Sequence, residues 1–385
     1  MPDYAHRLKD ISAFKAMKVL ARATELQQSG IDVIHLEVGE PDFPTPAPIL
    51  TAAHLAMQQG LTKYTPAEGI APLRRAITTH YADTYGVEVD PRRVFVTAGG
   101  SGALLLATSL TLNPGQAMMM TDPGYPCNRH FMSSFNGEGQ LVPVGAAEHY
   151  QLNARLVDQH WRQNTAGVLL ASPANPTGAI IDRQTLGEIA EVVSQRDGFL
   201  LVDEIYHGLH YGKATVTTAL EFDAIVVNSF SKYFGMTGWR LGWLVVPENA
   251  IESVEKLAQN LFICPSSISQ HAAVAAFTPE SREIMESQRR AFEERRNLMV
   301  EGLRRLSFGV PESPGGAIYV YAKLPDDVKI DSETFCMNLL ERFAVAATPG
   351  TDFGFFAADR HVRFSYANNI PALKEALIRI EKALQ

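Results

Sequence analysis

Between residues 94 and 246 the chain repeats one pattern: a short apolar run, a turn, a longer amphipathic stretch, then another short run. The runs fall at Val94–Thr97, 117–120, 141–144, 167–171, 199–202, 224–228 and 241–246. Each is too short for a helix and shows no polar alternation, the mark of a strand covered on both faces. Helical patterns at 101–111 and 183–197 fill intervals between them. Short apolar strands alternating with helices predict an α/β fold: a mostly parallel, doubly wound sheet. Such sheets bind ligands just past the carboxyl ends of their strands.

The flanks read differently. Helical patterns cover 12–30, 46–59 and 70–85, closed by Gly30, Gly60 and Gly86, and a strand is expected at 31–38. After Pro265 one long helical region runs to about residue 305. It leads to an α+β portion with strands near 317–323, 344–347 and 361–366. At 385 residues the chain is long enough for two or three domains. Its 34 basic and 42 acidic residues leave a net charge of −8, which argues against general binding to nucleic acid or anionic membrane. Three cysteines without metal-ligand spacing, Cys127, Cys264 and Cys336, fit a reducing cytoplasm and no metal site. No secretory signal and no bilayer-spanning run is visible.

The chemistry concentrates in Asn228-Ser229-Phe230-Ser231-Lys232-Tyr233-Phe234-Gly235-Met236-Thr237-Gly238-Trp239-Arg240, directly after the apolar residues Ala224-Ile225-Val226-Val227. A lysine amine forms a Schiff base with an aldehyde. Ser229 and Arg240 are suited to a phosphate, the arginine bidentately. A phosphorylated aldehyde held by a lysine describes pyridoxal phosphate. An isolated lysine of this kind is more often a solvated loop residue; its place past a strand end favours the cofactor. Gly99-Gly100-Ser101 follows a strand and opens a helix, where free N–H groups and the helix dipole make a phosphate site, or simply a tight turn. Asp203 ends the run 199–202. It is suited either to pair with a protonated pyridine nitrogen or to cap a helix. Arg363, in Val362-Arg363-Phe364-Ser365, is an arginine in an apolar strand and needs a partner.

Five segments, in order, carry a resemblance. They are Leu36-Glu37-Val38-Gly39-Glu40-Pro41-Asp42-Phe43, Lys63-Tyr64-Thr65-Pro66-Ala67-Glu68-Gly69, Ser172-Pro173-Ala174-Asn175-Pro176-Thr177-Gly178, Val202-Asp203-Glu204-Ile205-Tyr206 and the lysine stretch. Together they resemble the fold-type-I, pyridoxal-phosphate-dependent class I/II aminotransferases, the family of aspartate aminotransferase. The resemblance implies a large cofactor domain over 46–285 and a small domain built from 1–45 and 286–385. It implies amino-group exchange between an L-amino acid and a 2-oxo acid by a ping-pong mechanism. Lys232 then anchors the cofactor and, once released, carries a proton between substrate and cofactor. Asn175 and Tyr206 match the residues bonded to the cofactor's phenolic oxygen, and Tyr125 matches the aromatic stacked on its ring. Arg363 matches the residue that takes the substrate α-carboxylate, with Asn175 and the close backbone approach at Gly39 beside it. Tyr64 matches a phosphate ligand supplied by the neighbouring subunit, which implies a homodimer with shared sites.

One departure bears on substrate. Some relatives place a lysine directly after Gly-Gly, where it helps bind a second carboxylate; here that position is Ser101. Phe14, Met17 and Phe262 are expected at the substrate mouth, with Lys15 nearby, which favours a neutral donor. A C–S β-lyase uses the same fold and nearly the same residues. A ligand-sensing regulator would carry a DNA-binding domain before the first motif, and none is visible.

Overall fold

A computed structural model describes residues 3–385. Its strands are β1 (Ile34–His35), β2 (Val94–Thr97), β3 (Ala117–Asp122), β4 (Glu138–Pro143), β5 (Thr165–Ala171), β6 (Phe199–Asp203), β7 (Ile225–Ser229), β8 (Gly242–Val245), β9 (Tyr319–Lys323), β10 (Val345–Ala346), β11 (Thr348–Pro349) and β12 (His361–Ser365). Seven of them form one sheet in the order β2-β8-β7-β6-β5-β3-β4. Only β8 runs antiparallel to its neighbours, so the sheet is mostly parallel, as the run pattern predicts.

The absence of polar alternation has a direct cause. Val168, Leu170, Leu200, Val202 and Val226 enter the core on one face of this sheet. Leu169, Leu201, Ile225 and Val227 enter a second core on the other face. Both faces are dry along the middle of the sheet, so the central positions of these strands are apolar in succession. At about 25 cal/mol per Å² of apolar surface, burying each such side chain contributes roughly 1.5–3 kcal/mol.

A second body packs against the first. Strands β11, β12 and β9 pair antiparallel, and helices Ser332–Phe343 and Ile370–Ala383 cover them. The amino-terminal helix Lys15–Gln28 joins this body through Val19, Ala23 and Leu26 against Leu340 and Ala346. Strand β1 pairs in parallel with β10.

Two expectations fail here for identifiable reasons. The strand expected over 31–38 shrinks to Ile34–His35, because the chain beyond Leu36 turns away to bring Gly39 to the cavity described below. The long helical region after Pro265 is broken into Ser267–Val274 and Pro279–Arg305. Pro279 has no N–H for the preceding turn and starts a new helix, with Thr278 capping Ser281 N–H at 3.3 Å. That 27-residue helix contributes Met285 to the core beneath the large sheet and Phe292, Met299 and Leu303 to the core of the second body.

Candidate active site

The strand ends β6 and β7 and the start of helix Gly99–Thr111 face a cavity of about 220 Å³. Lys232, Asp203, Tyr206, Asn175, Tyr125, Gly39, Gly100, Ser101, Ser229, Arg240 and Arg363 all line it. Residues spread over more than 300 positions of sequence meet because the sheet order brings β6 and β7 together and the second body presents β12 opposite them.

Lys232 lies just past β7. Its Nζ donates to the Gly39 carbonyl at 2.5 Å and sits 5.7 Å from the Tyr206 ring centre. Asp203 closes β6 and is buried. Its carboxylate accepts the Ile205 N–H at 3.1 Å. Residues 205–208 form a turn, not a helix, so the helix-cap reading of Asp203 has no helix to cap. Burial pushes its carboxyl from 3.8 to about 7, against the pull of the Ile205 N–H and the Lys232 charge. A cationic ring nitrogen beside it would reverse that push.

The end of the cavity expected to take a phosphate is built by two elements. Gly99 has φ +73 and opens the helix, whose first-turn N–H groups have no intrahelical partner. A Cβ on Gly99 would stand 2.6 Å from an Arg240 guanidinium nitrogen, so the glycine leaves room for the arginine to reach this turn. Arg240 Nη1 donates to the Thr237 carbonyl at 3.1 Å. The Ser229 and Ser231 hydroxyls are 3.0 Å apart, and both line the cavity.

Arg363 is buried on β12. Nη1 donates to Asn175 Oδ1 at 3.0 Å, and Nη2 to the Glu37 carbonyl at 2.5 Å and to Thr348 Oγ1 at 3.3 Å. Its guanidinium lies over the rings of Tyr319 and Phe353, at 4.2 and 4.7 Å. Its Nε is buried without a partner, and among the described residues its hydrogen bonds go to an amide, a backbone carbonyl and a hydroxyl, none to a carboxylate. A structural salt bridge is therefore not its purpose here. An unpaired buried guanidinium beside a cavity is a seat for an anion.

Three of the expected positions fall elsewhere. Tyr64 is 81% exposed and lies outside the cavity of its own chain. Phe262 packs at the edge of the core beneath helix Gly99–Thr111 and does not line the cavity, unlike Phe14 and Met17. The Lys15 amine is tied to Glu333 and to Thr351 Oγ1, so it is neither free in solvent nor at the mouth. Gly39 has no unusual backbone angle. Its missing Cβ makes room for the Tyr319 hydroxyl. Ser231, Thr237 and Tyr319 join the site without having been assigned to it. Ser231 carried a signal, a second hydroxyl one residue before Lys232. Tyr319 carried none, since a tyrosine in an apolar strand reads as core.

The donor set fits a phosphorylated pyridine aldehyde: an amine, a carboxylate for the ring nitrogen, and a glycine-opened helix end with an arginine. The orphaned Arg363 Nε adds a seat for a carboxylate.

The site and its fold define a family, and comparison with known proteins agrees. Residues 31–380 match the family model described as aminotransferase class I and II. The valine–pyruvate aminotransferase of Mycobacterium tuberculosis is 39% identical over 376 residues, 96% of each chain. The aspartate aminotransferase of Thermotoga maritima is 34% identical, with 99% of each chain covered. Among solved structures, an aminotransferase from Mycobacterium tuberculosis superposes with a TM-score of 0.96 at 38% identity, covering 100% of this chain and 99% of that one. Aspartate aminotransferase from Thermus thermophilus with maleate gives 0.93 at 32% identity, covering 100% of both. The chain belongs to the class I and II aminotransferases. It is a pyridoxal-phosphate-dependent transaminase, exchanging an amino group between an amino acid and a 2-oxo acid.

Proposed function

We propose that this aminotransferase takes a neutral, apolar L-amino acid as its preferred donor and works as a homodimer with shared sites. The observation that carries the donor class is the cavity wall. Phe14, Ala16, Met17, Leu20 and Leu104 contribute to it, and among the described residues the cations lining the cavity are Lys232, Arg240 and Arg363. All three have tasks. A second buried carboxylate left without a partner costs several kcal/mol. The Mycobacterium tuberculosis relative named for valine and pyruvate supports the same class.

In this reading pyridoxal phosphate, when bound, supplies the electron sink that lets the substrate α-proton leave. Arg363 and Asn175 hold the α-carboxylate and so fix which α-carbon bond stands near Lys232. The Lys232 amine would take the proton from that carbon and deliver it to the cofactor's C4′ carbon. Asp203 keeps the ring nitrogen protonated, and Tyr206 and Asn175 orient the phenolic oxygen. Gly99, Gly100, Ser101, Ser229 and Arg240 hold the phosphate, joined by Tyr64 of a second copy. Tyr125, which lines the cavity, would offer its face to the ring.

Two features support the dimer. Leu50, Leu55, Met57, Leu61, Tyr64, Leu261 and Ile263 are exposed apolar or aromatic residues. They cluster because helix Ala47–Gln58 packs on Ser267–Val274 and the Ser267 hydroxyl bonds the Lys63 carbonyl at 2.6 Å. A patch of this kind marks an interface. The domain division is 46–285 against 1–45 with 286–385, supported by the pairing of β1 with β10. Three unpaired cysteines support a cytoplasmic setting.

The test is the half-reaction of the pyridoxal form with valine, alanine, methionine, phenylalanine, aspartate and glutamate under one condition. Neutral donors are expected to lead aspartate by at least about tenfold. A tenfold lead for aspartate overturns the donor class. Pyruvate and ammonia from a cysteine conjugate, without amino transfer, would mark a β-lyase instead.

A further inference from the structure

Tyr319 opens β9 and is buried, yet it touches three residues of the site at once. Its hydroxyl lies 2.8 Å from the Tyr206 hydroxyl, with the two rings edge to face. The face of its ring lies 4.2 Å beneath the Arg363 guanidinium. Its hydroxyl also occupies the space that a Cβ on Gly39 would fill, and the Gly39 carbonyl accepts from Lys232 Nζ. Among the described residues the Tyr206 hydroxyl is the only hydrogen-bond partner of the Tyr319 hydroxyl.

The two hydroxyls hold two protons and share one hydrogen bond. If Tyr206 gives its proton to a ligand oxygen in the cavity, it must accept the proton of Tyr319. Donation from Tyr319 then makes Tyr206 the stronger donor, since hydrogen bonds in series polarise one another. The ring, for its part, offers a negative face to Arg363, whose hydrogen-bonded partners among the described residues are Asn175, Glu37 and Thr348.

We propose that Tyr319 is a positioning residue for both ends of the reaction. Its hydroxyl directs the Tyr206 proton toward the cofactor's phenolic oxygen, and its ring seats Arg363 for the substrate carboxylate. The inference rests on the assignment of Tyr206 and Arg363 above.

Two variants separate the hydroxyl from the ring. Tyr319→Phe keeps the ring and removes the donor. A weaker Tyr206 bond stabilises the phenolate less, so the group that shares its charge holds its proton longer. The pKa read from the absorbance of the bound pyridoxal phosphate is expected to rise by about half a unit or more. Affinity for 3-phenylpropionate, an unreactive carboxylate, should stay within about twofold because the ring face remains. Tyr319→Leu removes the ring as well and should weaken 3-phenylpropionate by about three- to tenfold. Tyr319→Met serves in its place if the leucine variant does not accumulate.

An unmoved absorbance pKa in Tyr319→Phe overturns the role of the hydroxyl. Unchanged 3-phenylpropionate affinity in Tyr319→Leu, or in its substitute, overturns the role of the ring. A wild-type protein that shows no pH-dependent absorbance with pyridoxal phosphate would count against the Lys232 and Tyr206 assignments themselves. A normal wild-type titration beside an unmoved variant counts against Tyr319 alone.

Discussion

Asp203 shows how a single residue is set against its own fold. Its carboxyl, raised from 3.8 to about 7, keeps its proton in the folded protein over a range where the unfolded chain has lost it. The folded state therefore binds more protons than the unfolded state between about pH 4 and 7. In that window stability falls by up to about 1.4 kcal/mol per pH unit as pH rises. Above pH 7 the carboxylate stays as a standing penalty on the cofactor-free protein. Asp203→Asn keeps an oxygen for the Ile205 N–H and has no charge to bury. The cofactor-free variant is expected to melt above the cofactor-free wild type at pH 8, with the gap closing at pH 5. Glu204, also pushed up to about 8, mainly by burial, is raised in part by the Asp203 charge, so removing that charge eases its ionisation and acts in the same direction at pH 8. With pyridoxal phosphate bound, the same variant should gain less stability than wild type and react more slowly in the half-reaction. A cofactor-free variant that melts at or below wild type at pH 8 would remove the buried-charge account. Lys232→Ala is expected to fold normally and to lose transamination by several orders of magnitude, since covalent anchor and proton carrier go together. Mass spectrometry after borohydride reduction checks it: cofactor fixed to a different lysine would refute the assignment.

At the scale of the element, the turn from β2 into helix Gly99–Thr111 is the part least tolerant of change. Gly99→Ala would place a methyl against Arg240 in a left-handed backbone, at roughly 1–3 kcal/mol of strain. The expected result is about tenfold weaker retention of pyridoxal phosphate, measured by fluorescence titration. Gly102→Ala, one turn along, meets only Ala98 and Thr97 atoms at 3.4 Å or more and should leave retention unchanged. Equal effects of the two would point to the helix as a whole and not to the Gly99–Arg240 contact. Much of this element is legible in sequence, because a strand, two glycines and an apolar helix follow directly. The sheet runs were legible for the same reason: both faces are buried, so the pattern is strong. What stayed hidden was whatever depends on a partner distant in sequence. The shortening of β1 is set by where Gly39 must go, and the position of Tyr319 by Tyr206, 113 residues away. The break at Pro279 was visible in the sequence, but the apolar pattern on both sides of it masked it.

For the whole molecule the decisive matter is how many chains make one site. Tyr64 is exposed in its own chain, so its expected phosphate contact requires a second copy. Mixing Tyr64→Ala with Lys232→Ala, each impaired alone, should restore up to about a quarter of wild-type activity after full subunit exchange. Half the dimers are then hybrids with one intact site each. Sedimentation should report a dimer for both variants. No recovery despite verified exchange would return Tyr64 to a role within its own chain.

Strands β7 and β8 carry a consequence of another kind. Ser229 and Gly242 are partners on one rung of the ladder, so the segment bearing Lys232 and Arg240 leaves and re-enters the sheet at the same place. Arg363 stands on β12, in a different sheet. Were the two bodies to hinge along helix Pro279–Arg305, the Lys232–Arg240 span would keep its shape, while the reach to Arg363 and the contacts of Gly39 with Lys232 and of Tyr319 with Tyr206 would change. The proposed phosphate seat is thus held within one body, and the proposed seat for the substrate carboxylate belongs to the other. The cofactor can remain through both halves of a ping-pong cycle, while one keto acid departs and the next enters.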